Sequence, residues 1–160
     1  MIDICKSKND LAHQQAKKIA DPWFKTQALS WVARFNKSKT IQIAKEAEKS
    51  AEQCKDHYQK SAVLSWVIAA LGEQEFKSEA KKLLNKAINL SREATPLSSR
   101  AEALITLYQA SFKIDKQSTL KVKDEIETGC NPDEHWRCKR AIKNANKIHE
   151  GTFSPREFFW

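Results

Sequence analysis

The chain is short of helix breakers: its 160 residues include 3 glycines and 4 prolines. Glycine weakens a helix interior through backbone entropy, and proline through its missing N–H and a ring clash. Their scarcity predicts long helices and few open turns. Long hydrophobic runs are absent too. The longest, residues 62–71, is broken by Ser65 and falls well short of the ~20 apolar residues that cross a bilayer. No membrane partner is expected. The N-terminal run Met-Ile-Asp-Ile-Cys-Lys turns polar at once and lacks the apolar stretch of a signal peptide. The cysteines (Cys5, Cys54, Cys130 and Cys138) are widely spread, which fits reduced thiols in a cytoplasmic protein. Arginine is sparse, at positions 34, 92, 100, 137, 140 and 156, so lysine carries most of the formal charge of +8. A basic surface favours acidic partners, nucleic acid among them, but exposed lysines also keep a helical protein soluble.

Catalytic signatures are missing. There is no phosphate-binding glycine loop, no G-x-S-x-G and no H-E-x-x-H. Carboxylates fall in lysine-rich runs such as residues 45–49, which read as solvated helix faces. Cys54 and His57 stand three residues apart, but nothing nearby orients the pair as a nucleophile and base. The expectation is a protein that is not an enzyme, with no catalytic residue and no cofactor. Cys130, His135, Cys138 and His149 form the one metal-like grouping. It lacks C-x-x-C spacing, and His149 lies far along the last helix, so buried thiols and surface histidines are expected instead of a zinc site.

What is present is helical periodicity. Asn9-Asp10 can cap a helix over about 11–20, and Asp21-Pro22 restarts the chain as cap and first helical residue. The next helix carries Trp23, Ala28, Trp31, Val32 and Phe35 at three- and four-residue spacing. Thr40 is the expected cap of a helix with an alanine stripe, Ala44, Ala47 and Ala51. Asp56 opens a helix over about 57–71 that is apolar on nearly all sides and so central, with Gly72 as its expected stop. Further helices are expected over about 75–93, from Pro96 to the region of Phe112, over about 118–128 ending at Gly129, and over about 134–149 capped by Asp133. Residues 119–122 could pass for a strand, but their helical neighbours decide for helix.

The pattern repeats. Ala28-Leu29-Ser30-Trp31-Val32 returns as Val63-Leu64-Ser65-Trp66-Val67, and Ala44, Ala47 and Ala51 return as Ala80, Leu83 and Ala87. A recurrence after about 35 residues is the mark of stacked helical hairpins, none of which buries its apolar face alone. Over residues 22–113 the hairpins resemble the tetratricopeptide-like and HEAT-like helical repeats. Leu64, Val67 and Leu71 occupy the first helix of a tetratricopeptide-like unit, and Ala80, Leu84 and Ala87 fit the second. Residues 96–107, with Arg100 and Ala103-Leu104, look like the opening helix of a HEAT unit. The first repeat places Glu48 between Ala44 and Ala51, and Val32 and Ile68 stand where the family has a small residue. The resemblance implies an all-α, right-handed superhelical stack of about four antiparallel hairpins over residues 1–151. It also implies a scaffold that binds protein or peptide.

Residues 152–160 form an aromatic, non-periodic tail. Phe153, Phe158, Phe159 and Trp160 should dock somewhere, either back on the stack as a cap over its open end or on a partner or second copy. Trp23, Trp31 and Trp66 read as core. Trp136, Arg140, Lys143 and Lys147 share one helical stripe beside Arg137, where an acidic peptide or a nucleic-acid backbone could meet lysine and arginine and a base could stack. Lys77, Lys81, Lys82 and Lys86 make a second basic face. The partner-binding residues expected are therefore Trp136, Arg137, Arg140, Lys143, Lys147, Phe158, Phe159 and Trp160.

Overall fold

The computed structural model describes residues 9–131 and 133–159. Cys5 and Trp160 lie outside the described residues. Among those described, the regular structure is eight helices: α1 (Asn9–Lys17), α2 (Pro22–Phe35), α3 (Thr40–Glu52), α4 (His57–Glu73), α5 (Lys77–Arg92), α6 (Leu97–Ser111), α7 (Lys116–Cys130) and α8 (Trp136–His149). None of these is long and apolar enough to cross a membrane.

Local chemistry sets the helix starts. Aspartates at the N-caps of α2, α4 and α7 accept from main-chain N–H groups in the first turn: Asp21 from Phe24 at 3.1 Å, Asp56 from Gln59 at 2.8 Å and Asp115 from Ser118 at 2.8 Å. Each satisfies a donor that the helix itself leaves open. Three expected caps fall elsewhere, the first being Asn9-Asp10, which are the first two residues of α1 itself. Thr40 sits inside the first turn of α3, where its hydroxyl donates back to Asn36 O at 2.9 Å and Ala33 O at 3.0 Å, tying α3 to the end of α2. His135 takes the cap position of α8, its Nδ1 accepting from Arg137 N at 3.2 Å, while Asp133 accepts from His135 N at 2.7 Å.

Gly72 and Gly129 do not stop their helices, which continue to Glu73 and Cys130. Gly72 serves a close approach instead: a Cβ there would lie 2.5 Å from the carbonyl oxygen of Lys113, just beyond α6. Residues 119–122 are helical, with Thr119 and Val122 buried. At Gly151 the expected stop holds, with φ +74 just past α8.

The repeat recurs in space. The pairs Leu29 and Leu64, and Val32 and Val67, are at most 1% exposed in α2 and α4. Ala44, Ala47 and Ala51 are buried in α3, as are Ala80, Leu83 and Ala87 in α5. Small residues let the second helix of each hairpin come close to the first. Thr26 of α2 can then donate to Ala47 O at 3.3 Å, and Ser61 of α4 to Ala87 O at 2.9 Å.

Helix α2 packs on α3, α4 on α5, and α6 on α7 as hairpins, while α2, α4, α6 and α8 pack on one another in that order. These four make one layer; α3, α5 and α7 make the other. Helix α4 touches α2, α3, α5 and α6, which explains an apolar surface that runs almost all the way round it.

Candidate functional site

The flanks of α2 and α4 turned away from their hairpin partners carry a row of half-buried aromatic groups. On α2, Trp23, Gln27, Trp31 and Phe35 follow at four-residue spacing and line one face. On α4, Trp66 stands five residues after Ser61, which faces α5, and so lies on the opposite flank. With its amide oxygen turned toward the indoles, Gln27 accepts from Trp23 Nε1 at 3.1 Å and from Trp66 Nε1 at 3.3 Å. The glutamine thus answers two N–H donors that would otherwise be costly to bury.

Phe158 and Phe159 of the tail sit on this floor. Phe158 meets Trp66 edge-on with ring centroids 5.1 Å apart. Phe159 meets Trp31 at 5.0 Å and Trp66 at 5.6 Å, both edge-on, and packs against Phe158 at 5.3 Å. Such tilted contacts place the positive edge of one ring against the negative face of another. The Arg34 guanidinium lies over Phe159, 4.4 Å from the ring centre, and is 5.0 Å from Trp31 and 5.2 Å from Phe35.

Arg34 is held in place by its neighbours. Its Nε is paired with Glu73 at the end of α4, and Glu73 also takes Lys113 at 3.1 Å, so one carboxylate joins the ends of α2, α4 and α6. Gln74 donates its amide to Arg34 O. Phe158 and Phe159 are 6% and 5% exposed. Residues 151–154, 156 and 157 stay exposed. Thr152 and Phe153 stay bonded through their N–H groups to Lys147 O at the end of α8, at 2.9 and 3.2 Å, and residues 154–157 carry the chain from there to the floor. Of the two places expected for the tail, the chain itself takes it here, on the floor shared by α2 and α4 and not over the open end of the stack.

The expected binding residues divide into two groups. Phe158 and Phe159 belong to the tryptophan floor, and Trp160 lies outside the described residues. Trp136 opens α8 and is 56% exposed. Arg140 and Arg137 lie over its ring at 4.7 and 5.4 Å, and both reach Glu102 of α6, at 2.8 and 3.8 Å. Lys143 and Lys147 are exposed further along the same helix. Burial raises the Tyr58 hydroxyl above its usual pKa, as does Glu102, partly offset by Arg137, which places the start of α4 beside this edge.

Of the second basic face, three lysines are paired: Lys77 with Glu75 at 3.0 Å, Lys81 with Asp115 at 2.6 Å, and Lys86 with Glu48 and Glu52 at 2.7 and 2.6 Å. Between α3 and α5 a shallow cleft of about 450 Å³ is floored by Ile41, Ala44, Leu71 and Leu83.

Cys130 and Cys138 are both buried and adjacent, at the end of α7 and in the first turn of α8. Burial, reinforced by Cys138, pushes the Cys130 thiol up to about 12, and burial raises Cys138 as well. Both are therefore thiols rather than thiolates at neutral pH. His135 and His149 are exposed, and no group of three metal-ligating side chains forms among the described residues.

No family model and no curated protein matches this chain. A solved structure does: that of Ton1535 from Thermococcus onnurineus NA1, with a TM-score of 0.66 at 16% identity over 92% of this chain. The chain spans 44% of the length of Ton1535. At that identity the likeness is one of fold alone.

Three residues of the floor, Trp31, Trp66 and Arg34, are absent from the binding residues expected from sequence. A signal for them exists. Trp31 and Trp66 hold equivalent places in adjacent repeats, so stacking the repeats sets two indoles side by side, next to an arginine in a chain with few.

Proposed function

We propose that this chain is a non-catalytic scaffold that binds a protein or peptide through the first-layer helices. The reading rests on one observation: a short segment carrying two adjacent phenylalanines is already seated across α2 and α4, on indole floors and under a guanidinium. Preformed helix faces that accept an extended segment are how helical-repeat scaffolds recognise ligands. In the finer form of this reading, the stack is a right-handed superhelix of the tetratricopeptide-like or HEAT-like kind, curved toward the more closely packed layer. Lysines on the outer faces steer acidic partners.

The test is selection from a phage-displayed library of C-terminal peptides on the immobilised chain, followed by fluorescence anisotropy of the winners. Enrichment of a sequence class with dissociation constants in the micromolar range is the expected result. A flat selection, with no peptide binding above a scrambled control, would remove the reading.

A second reading is favoured by Trp136, an exposed indole flanked by two arginines above Lys143 and Lys147. Single-stranded nucleic acid would stack a base on the indole and lay phosphates along the basic stripe. Glu102 stands against both arginines, which makes this the weaker reading. Affinity for a short oligonucleotide that falls steeply with salt and disappears in Trp136→Ala would promote it.

A further inference from the structure

We infer that the aromatic floor is a recognition site for segments carrying two adjacent aromatic residues, and that this chain's own tail is its built-in competitor. The inference rests on the peptide-binding reading and deepens it by naming the ligand class and its regulation.

The site has the features of a receptor rather than of simple core. It offers two subsites of distinct chemistry. The first, against Trp66, takes a ring edge-on. The second, between Trp31, Trp66 and Arg34, takes a ring that is edge-on to both indoles and capped by a cation. Both subsites are filled here by neighbouring residues, since the rings of Phe158 and Phe159 converge at 5.3 Å on the same indole of Trp66. The site is also organised without the tail. Gln27 fixes Trp66, and the Glu73 pair fixes Arg34, through side chains of α2 and α4 alone.

The occupant, by contrast, reaches the site on an exposed tether that is anchored at the end of α8, where Thr152 and Phe153 donate their N–H groups to Lys147 O at 2.9 and 3.2 Å. In the tail, burial is concentrated in the two phenylalanine side chains, while residues 151–154, 156 and 157 remain in solvent. A ligand on an exposed tether competes at an effective concentration set by the tether. At about 1 mM, it would weaken a free peptide of Kd about 50 μM roughly 20-fold.

The experiment uses the full chain, unchanged and as the double variant Phe158→Ser and Phe159→Ser. The probe is a fluorescein-labelled peptide with the sequence of residues 152–160, alongside a control peptide with both phenylalanines replaced by serine. The expected result is saturable binding to the double variant, binding about 20-fold weaker to the unchanged chain, and none of the control. Adding Arg34→Ala to the double variant should weaken binding several-fold without loss of cooperative unfolding.

Equal affinity of the two chains for the probe, or equal binding of probe and control, would overturn the inference. If the double variant binds library-selected peptides that lack paired aromatics but not the probe, the ligand class is wrong and the scaffold reading stands. If it is folded and binds no peptide at all, both fall. A micromolar dimer of the unchanged chain that the double variant lacks would assign the site to a second copy's tail and overturn competition in cis.

Should the double variant fail to fold, a protease site inserted after Gly151 keeps the question open to decision. After cleavage the held tail should exchange with the labelled peptide within minutes. A tail that stays bound against excess probe would overturn the inference.

Discussion

Trp66 and Trp136 both stand on helices of the same layer, yet one is closed over and the other open. Trp66 lies midway along α4 and is met by Phe158, Phe159 and the Gln27 amide. Trp136 lies at the first residue of α8, with His135 and two arginines around it and more than half its surface in water. Position in the stack accounts for the difference. A central helix has a neighbour on either side within the layer, so any large side chain on it meets a wall. Among the described residues, α8 has such a neighbour on one side, α6. Aromatic content by itself therefore does not identify a binding surface, and the tail has gone to the place where two repeats present equivalent indoles.

The sharpest way to break this contrast is to remove the central indole. Trp66→Ala should cost about 3 kcal/mol of unfolding free energy, read from urea denaturation followed by far-UV circular dichroism. A loss below ~1 kcal/mol would mean that the floor contributes no more than an exposed edge.

Next in size is Gly72→Ala. The added methyl would meet the Lys113 carbonyl and force α4 and α6 apart beside Glu73, which holds Arg34 over Phe159. A cost of about 1–3 kcal/mol should appear in the same assay, with increased accessibility of Trp66 to an aqueous quencher. An unchanged midpoint would show that the close approach relaxes freely.

A smaller effect is expected at Asp115, between the centre and the open edge. Its carboxyl is held at about 2 instead of the usual 3.8, first by the Lys81 ammonium and then by the Ser118 N–H. A depressed acid stabilises the fold above its unfolded pKa and loses that contribution as the pH falls toward the folded value. Asp115→Ala should therefore cost about 1 kcal/mol at neutral pH, and the gap from the unchanged chain should narrow between pH 3.8 and 2. A gap that stays constant through this window would remove the charged cap from the account.

The smallest effect belongs to the open edge. Trp136→Ala should stay within about 0.5 kcal/mol in thermal denaturation. A cost near that of Trp66→Ala would erase the contrast with which the two indoles began.

The helices and their order were legible because amphipathic spacing and aspartate caps act within a few residues. The 35-residue echo was legible for the same reason, since equivalent places in a stack bury equivalent side chains such as Leu29 and Leu64. The cap at Thr40 was misread because a hydroxyl that bonds backward along the chain and one that bonds forward look alike in sequence, and that at Asp133 because its carboxylate accepts from the cap residue His135 instead of from the first turn of α8. Gly72 was misread as a stop because its neighbour, the Lys113 carbonyl, lies in another hairpin. The seat of the tail was the least legible feature. No local pattern links Phe159 to Trp31 or Arg34, and only the lateral stacking of α2 on α4 creates the place where they meet.

Because Phe158 and Phe159 are made well after α2 and α4, timing matters during synthesis. About 85 residues separate the end of α4 from Phe159, an interval of about 4–17 s at ordinary rates of translation. A nascent chain that has released α2 to α5 thus carries an uncovered pair of indoles before its own cover has been made. In that interval the growing chain is open to anything aromatic that its ribosome's surroundings supply, and far less so once Phe158 and Phe159 have been made.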